Sequence, residues 1–149
     1  MQKDSGCKFC VKARRVAKKS PCPFGKTTGA VLEKNGVIFG MGYPVCAPWG
    51  FLHGDPIKSC PYKNLESPSR LLYCNVIDAE PLSIFDALQK GYNPKKATLH
   101  LTGHWWSCRS CEALLLYYGI SLCIDPYTAK TNPNCQHRSS GTMVRQKMK

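Results

Sequence analysis

Four residues in the middle of the chain have the types and spacing of a metal-dependent hydrolase site. Asp78 and Glu80 are separated by one residue, and Cys108 and Cys111 form a Cys-x-x-Cys pair further along the chain. A catalytic zinc site has three protein ligands and keeps its fourth position open to water. Asp78, Cys108 and Cys111 are the candidate ligands, and Glu80 remains as a carboxylate that can carry a proton between the water and a substrate.

The residues between these two pairs predict regular structure that would bring them together. Residues 81–90 indicate a helix whose apolar side chains fall near one face, with Gly91 suited to its end. That face comprises Leu82, Phe85, Ala87 and Leu88. Residues 97–102 and 120–124 are apolar runs typical of buried strands, and residues 108–118 form a second helix between them.

This alternation of helices and strands predicts parallel strands joined by helical crossovers. Asp78 and Glu80 would then lie at the start of one helix, and the two cysteines in the first turn of the next. The positive end of a helix favours the thiolate, which is the form that binds zinc. The predicted fold therefore suits the proposed ligands.

The N-terminal part of the chain predicts a helix followed by a β-hairpin. Residues 28–34 and 37–42 are predicted strands, and Asn35-Gly36 between them is a strong signal for a type I′ turn. The preceding helix has an apolar face of Val11, Ala13, Val16 and Ala17 and a basic face of Lys12, Arg14, Arg15, Lys18 and Lys19. The basic face suits either a solvated surface or the lining of a path for anions.

Together these features resemble the zinc-dependent cytidine deaminase superfamily, whose signature is H-x-E followed by P-C-x-x-C. The likeness is greatest to the deoxycytidylate (dCMP) deaminases and extends over residues 10–127. It implies an α/β fold of three layers, α-β-α, around a mixed and roughly five-stranded sheet. Residues 1–127 would form one zinc-dependent deaminase domain, and residues 128–149 a basic C-terminal tail.

The resemblance implies hydrolytic deamination of a cytosine nucleotide, with dCMP converted to dUMP. Asp78, Cys108 and Cys111 would hold the catalytic Zn²⁺, and Glu80 would be the catalytic acid and base. Three substrate contacts are implied: Lys26 near the phosphate, Tyr43 at the start of the sugar-binding loop, and Trp106 stacked on the base. A solvent-exposed lysine at position 26 and a tryptophan packed in the core at 106 are equally open readings.

Four departures from the family pattern affect these expectations. Aspartate replaces the ligating histidine at position 78, and Ser107 replaces the proline before the first cysteine. A carboxylate in place of imidazole makes the site more negative, which predicts slower chemistry or a more alkaline pH optimum. Pro44 and Leu82 stand where the family has asparagine, so the exact nucleotide stays open.

The chain contains ten cysteines and shows no secretion signal, so metal binding explains them better than disulfides do. Cys7 and Cys10 form a second Cys-x-x-Cys pair. Its possible completing ligands are Cys22, Cys46, His53 and Cys60, and some dCMP deaminases place a second, structural zinc near Cys22 and His53. The alternative is that these cysteines are scattered buried thiols.

A net charge of +12 favours an anionic partner, which is a nucleotide phosphate, a polynucleotide or an acidic protein surface, and the alternative is that the charge serves solubility alone. RNA or single-stranded DNA is therefore an alternative substrate, and a non-catalytic subunit of a ribonucleoprotein is a further one. No apolar run is long enough to cross a bilayer, so we expect no membrane association and a cytoplasmic, or at least intracellular, location, with organelle import left open. Relatives are commonly homo-oligomers.

Overall fold

A computed structural model describes residues 7–22, 27–46, 76–103, 107 and 109–125. Three helices lie in this part of the chain: α1 (Lys8–Ala17), α2 (Ala79–Gln89) and α3 (Arg109–Tyr117). The strands are β1 (Gly29–Lys34), β2 (Val37–Gly42), β3 (Val45–Cys46), β4 (Val76–Ile77), β5 (Thr98–Thr102) and β6 (Ser121–Ile124). Every helix and strand predicted between residues 8 and 124 is present, with ends that differ by a few residues.

The main sheet is mixed, as predicted. Its strands lie in the order β2-β1-β5-β6, and β3 pairs separately with β4. Strand β1 is antiparallel to both β2 and β5, whereas β5 and β6 are parallel and are joined through α3. Within the described residues the main sheet has four strands, against the roughly five that the resemblance implied.

The β1–β2 hairpin turns at Asn35-Gly36, which confirms the sequence prediction. The φ angles are 52° at Asn35 and 82° at Gly36. Two consecutive residues with positive φ define the type I′ geometry, whose twist matches that of the flanking strands.

Apolar side chains on the two faces of the sheet form two separate clusters, which makes the fold three-layered. The larger cluster includes Leu32, Leu99 and Leu122 from the strands and lies beneath α2 and α3. The smaller one joins Val31 to Ala13 and Val16 of α1. Alternate residues of one strand, such as Val31 and Leu32, thus contribute to opposite layers, as the two-residue period of a strand requires.

The buried face of α2 differs from the predicted one. Phe85 and Leu88 are 52% and 43% exposed, although the apolar pattern assigned both to the core. The residues that are buried are mostly small: Ala79, Glu80, Ser83, Ile84 and Ala87.

Two glycines in β2 explain why α2 buries this face. A Cβ atom at Gly40 would overlap the carbonyl oxygen of Ser83, and one at Gly42 would overlap that of Ala79. The helix backbone therefore lies directly on the strand, and only small side chains fit between them. The large apolar side chains face away because the contact has no room for them.

Arg14 also lies elsewhere than predicted. Its guanidinium donates two hydrogen bonds to the carboxylate of Asp125, from Nε to Oδ2 at 2.7 Å and from Nη2 to Oδ1 at 2.8 Å. Asp125 is fully buried and also accepts a hydrogen bond from the Thr102 hydroxyl. Arg14 thus ties α1 to the ends of β5 and β6 and is not part of a solvated basic face.

Among the described residues, no helix is both long enough and apolar enough to cross a membrane. The proposed basic tail, residues 128–149, lies outside the described part of the chain.

Candidate metal centres

The beginnings of α2 and α3 bring together the residues first singled out in the sequence. Asp78 is the residue immediately before α2, and its side chain makes no hydrogen bond to the backbone of that helix. The thiol of Cys111, in the first turn of α3, is 3.7 Å from Asp78 Oδ2. Two candidate ligands that are far apart in sequence therefore meet in space.

Glu80 lies beside this pair, in the first turn of α2. Its side chain is only 4% exposed, and the Ser107 hydroxyl donates a hydrogen bond to Glu80 Oε1 at 3.1 Å. Ser107 is itself buried and stands two positions before the start of α3. We call Asp78, Glu80, Ser107 and Cys111 the Asp78 cluster.

The electrostatic setting of the Asp78 cluster favours negative charge. Asp78 and Glu80 lie at the N-terminus of α2, and Cys111 lies in the first turn of α3. The backbone N–H groups at a helix start carry partial positive charge. Anionic side chains are therefore well placed at both helix starts.

A second group of metal-type side chains lies under α1. The Sγ atoms of Cys7 and Cys10 are 3.1 Å apart, and they are 3.6 Å and 3.9 Å from Nδ1 of His100. Cys123 is the register partner of His100 on the neighbouring strand. We call Cys7, Cys10, His100 and Cys123 the His100 cluster.

The parallel pairing of β5 and β6 creates half of this second cluster. His100 and Cys123 are register partners on the two strands, so their side chains stand next to each other on the same face. Their neighbours Leu99, Leu101 and Leu122 face the larger apolar cluster on the opposite side. Cys7, the N-cap of α1, and Cys10, in its first turn, approach from above the sheet.

The thiols and the imidazole of the His100 cluster shift one another's pKa. Hydrogen bonds from Cys10 and then from His100 lower the pKa of Cys123 to about 5, against the opposing effect of burial. The hydrogen bond to Cys123, together with burial, raises the pKa of Cys10. Burial by itself lowers the pKa of His100, but the hydrogen bond to Cys123 and the charges of Cys123 and Cys7 outweigh it, so the net shift is upward.

Solved structures of deaminases share this architecture. The dCMP deaminase of cyanophage S-TIM5 in its apo form is 19% identical, with a TM-score of 0.55, over 78% of this chain and 79% of that one. The same enzyme in complex with dCMP and dUMP is 16% identical, with a TM-score of 0.55, over 78% and 76% of the two chains. The fold is that of a dCMP deaminase.

A further solved structure is the Thermotoga maritima diaminohydroxyphosphoribosylaminopyrimidine deaminase/5-amino-6-(5-phosphoribosylamino)uracil reductase, which is 25% identical with a TM-score of 0.46. The match covers 78% of this chain and 28% of that one. No protein-family model matches the chain, and no curated protein matches its sequence. The two cyanophage structures confirm the predicted resemblance to the cytidine deaminase superfamily at the level of the fold.

The distance within the Asp78 cluster fits a tetrahedral zinc ion. Two ligands on one tetrahedral zinc, a carboxylate oxygen and a thiolate sulfur, would be about 3.6 Å apart at usual bond lengths. The observed separation of Asp78 Oδ2 and Cys111 Sγ is 3.7 Å. The third predicted ligand, Cys108, lies outside the described residues.

The predicted substrate contacts are only partly described. Tyr43 follows β2 and packs, partly buried, against the small apolar cluster beneath α1. Lys26 and Trp106 lie outside the described residues. The roles of all three stay predictions.

Among the described residues, the side chain that joins the Cys7–Cys10 pair is His100, which we did not predict from the sequence. Cys22 is buried beyond the end of α1, next to Ser20, and is not one of the residues gathered at the pair. His53, Cys60 and the side chain of Cys46 are not among the described residues. The sequence signal that could have identified His100 and Cys123 is a polar residue at the centre of each of two adjacent buried strands.

Proposed function

We propose that the chain hydrolyses the exocyclic amine of a cytosine nucleotide, with dCMP as its preferred substrate and dUMP and ammonia as its products. The observation that carries this proposal is the Asp78 cluster. A candidate ligand pair separated by 3.7 Å has a buried glutamate beside it, in a fold shared with dCMP deaminases.

The residues of this chain would divide the work as follows. Asp78 and Cys111, with Cys108, would hold zinc, which supplies Lewis-acid activation of a water molecule. Glu80 would accept a proton from the attacking water at one carboxylate oxygen. It would then deliver that proton to N3 of the base. It would carry a second proton from the hydroxyl added at C4 to the leaving amine, so that one group serves as base and as acid.

The surroundings of Glu80 support this role. The side chain is buried, so its proton cannot exchange freely with bulk water during the reaction. The Ser107 hydroxyl holds Oε1, which orients the carboxyl group toward one position. Ser107 thereby acts as a positioning residue for the glutamate.

A polynucleotide is the second candidate substrate. The net charge of +12 and the consecutive Trp105 and Trp106 suit an RNA or single-stranded DNA, because lysine and arginine contact phosphates and aromatic rings stack on unpaired bases. The substitutions Pro44 and Leu82, at positions where the family has asparagine, favour this candidate because they remove expected nucleotide contacts.

A deamination assay on the zinc-loaded protein tests both candidates. Free cytosine nucleotides, including dCMP, are compared with a cytosine-containing oligonucleotide, each at low and high salt. Conversion of dCMP with little salt dependence supports the main proposal. Conversion of the oligonucleotide alone, lost steeply as salt rises, supports the polynucleotide. Zinc-loaded protein that converts neither overturns both and leaves a deaminase fold used only for binding.

A further inference from the structure

We infer that Cys7, Cys10, His100 and Cys123 form a structural zinc site, separate from the Asp78 cluster, that fixes helix α1 to the centre of the sheet. This inference does not rest on the proposed catalytic function. It rests on the geometry of the His100 cluster and on the residues that surround it.

The distances agree with ligands that share one ion. On a tetrahedral zinc a thiolate sulfur and an imidazole nitrogen are about 3.6 Å apart, and two thiolate sulfurs about 3.8 Å apart. The two sulfur–nitrogen distances here are 3.6 Å and 3.9 Å, and the Cys7–Cys10 sulfur distance is 3.1 Å. The sulfurs would need to separate by roughly 0.7 Å on binding zinc.

Cys123 is the candidate for the fourth ligand. The three atoms of Cys7, Cys10 and His100 all lie within 4.8 Å of one another. Cys123 is the register partner of His100 on β6, but its sulfur lies outside this limit from at least one of the three atoms, so it would have to move closer to share the ion. Three thiols and one imidazole make a Cys₃His set, which is a set typical of structural zinc. Sulfur and nitrogen donors exclude calcium and magnesium as the natural occupants, since those ions prefer oxygen.

Glu33 gives His100 the partner that a metal-bound histidine usually has. Nδ1 of His100 faces the two thiols, while Nε2 faces Glu33 Oε1 at 3.4 Å. A proton on Nε2 leaves Nδ1 with the lone pair that a metal needs, and a carboxylate on the far nitrogen fixes this tautomer. Glu33 thus acts as a positioning residue for the histidine.

The cluster is closed, as a structural site should be. Cys10, His100 and Cys123 are buried, and the Phe9 ring lies 4.8 Å from the imidazole. Four protein ligands fill a tetrahedral zinc and leave no place for water or substrate. Cys7 is exposed and marks the side from which the ion would enter.

The alternative use of a Cys-x-x-Cys pair at a helix start is a redox-active disulfide. The sulfurs are 3.1 Å apart, well beyond the roughly 2.05 Å of a disulfide bond. A disulfide would also need neither His100 nor Cys123 beside it. Both residues, together with Glu33, are explained by a metal.

Zinc content per chain in matched variants tests the inference. Cys111→Ser is designed to remove the ion of the Asp78 cluster, so the zinc that remains reports on the His100 cluster alone. We expect one zinc per chain in Cys111→Ser, loss of that zinc when Cys123→Ser is added, and no change when Cys22→Ser is added instead. Cys22 is a matched control because it is buried but lies outside the cluster.

Two results would overturn the inference: no zinc in the folded Cys111→Ser protein, or zinc that survives the addition of Cys123→Ser. Failure of the proposed catalytic site looks different, because Cys111→Ser would then lose no zinc relative to the unmodified protein. The two proposals can therefore fail independently.

Alkylation of the unmodified protein provides a test that needs no variant to fold. Cys7 is exposed, so iodoacetamide should modify it rapidly in protein treated with a chelator and slowly in zinc-loaded protein, which mass spectrometry detects. Equal modification rates in the two samples, or a Cys7–Cys10 disulfide in protein purified without oxidant, would contradict a zinc site.

Discussion

The Asp78 cluster and the His100 cluster use similar side chains but place their nearby carboxylate differently. Each contains at least one cysteine in the first turn of a helix, and the helices involved lie on opposite faces of the sheet. The Asp78 cluster has a buried glutamate beside its ligand pair, held by Ser107. In the His100 cluster the nearby carboxylate, Glu33, contacts Nε2 of His100, the ring nitrogen that does not face the thiols. In our two proposals, the position of the carboxylate separates a site for proton transfer from a site for rigidity.

The two clusters also differ in the backbone positions of their candidate ligands. Asp78 and Cys111 lie at helix starts, where the helix dipole places partial positive charge. His100 and Cys123 lie in the middle of neighbouring strands, where pairing holds both ends of each residue. Strand interiors suit a site that does not need to open.

The sharpest way to break this comparison is to change the glutamate of the Asp78 cluster. Glu80→Gln keeps the shape of the side chain but cannot take up the proton, so we expect kcat to fall by about 10²–10⁴ while the zinc content stays unchanged. Steady-state deamination kinetics and metal analysis measure the two effects. Glu112→Gln is the matched control, since Glu112 lies in the first turn of α3. A Glu80→Gln enzyme with a kcat near that of the unmodified protein would remove Glu80 from the mechanism.

The corresponding change in the His100 cluster should alter affinity and leave chemistry alone. Glu33→Ala removes the acceptor from His100 Nε2, and we expect zinc affinity at this cluster to fall by about 10–100-fold. Competition with a chelator in the Cys111→Ser background measures it. Glu33→Gln retains an oxygen acceptor and should recover part of the loss.

Asp86→Asn is the control for this second change, because Asp86 has hydrogen-bond partners but belongs to neither cluster. If Glu33→Ala and Asp86→Asn weaken zinc binding equally, the role of Glu33 as a partner of His100 is wrong.

A smaller effect is expected from Ser107, which only positions the catalytic group. Ser107→Ala deletes the hydrogen bond to Glu80 Oε1, and a loss of about 1.4 kcal/mol would lower kcat about tenfold. The KM for the nucleotide should stay close to its original value. Ser121→Ala on β6 is the control for a serine change away from the cluster. A change in KM with kcat constant would assign Ser107 to substrate binding instead.

The mildest change exchanges one candidate ligand for another. Asp78→His replaces an anionic ligand by a neutral one, so the site becomes less negative and the activated water loses its proton more readily. We expect the acidic limb of the pH–rate profile to move to lower pH by about one unit, since one unit equals about 1.4 kcal/mol, the scale of one nearby charge in water. Superimposable profiles would show that residue 78 does not set the charge of the site.

Much of the fold could be predicted because its signals are local. The Asn35-Gly36 turn, the apolar runs that became β5 and β6, and the alternation of helix and strand each depend on residues close together in sequence. The approach of Asp78 to Cys111 was also predictable, because both lie at the starts of successive helices in an αβαβ arrangement.

The inward face of α2 could not be read from the same kind of signal. Its apolar pattern favoured Phe85 and Leu88, but Gly40 and Gly42 in a distant strand set how closely the helix approaches the sheet. Close contact selected the small side chains for burial. The apolar pattern of a helix carries no information on how closely the helix will approach the sheet.

The sequence by itself determined which residues could bind metal, since Cys7 and Cys10 already form a ligand pair in one helical turn. Only the tertiary structure decided what completes that pair. His100 and Cys123 meet because β5 and β6 pair in one register, and α1 reaches them because Arg14 and Asp125 fix the helix over that end of the sheet. Spacing along the chain is enough to bring two side chains together within one helical turn. Contacts across a sheet depend on strand register, because a shift of one residue would turn the side chain to the opposite face.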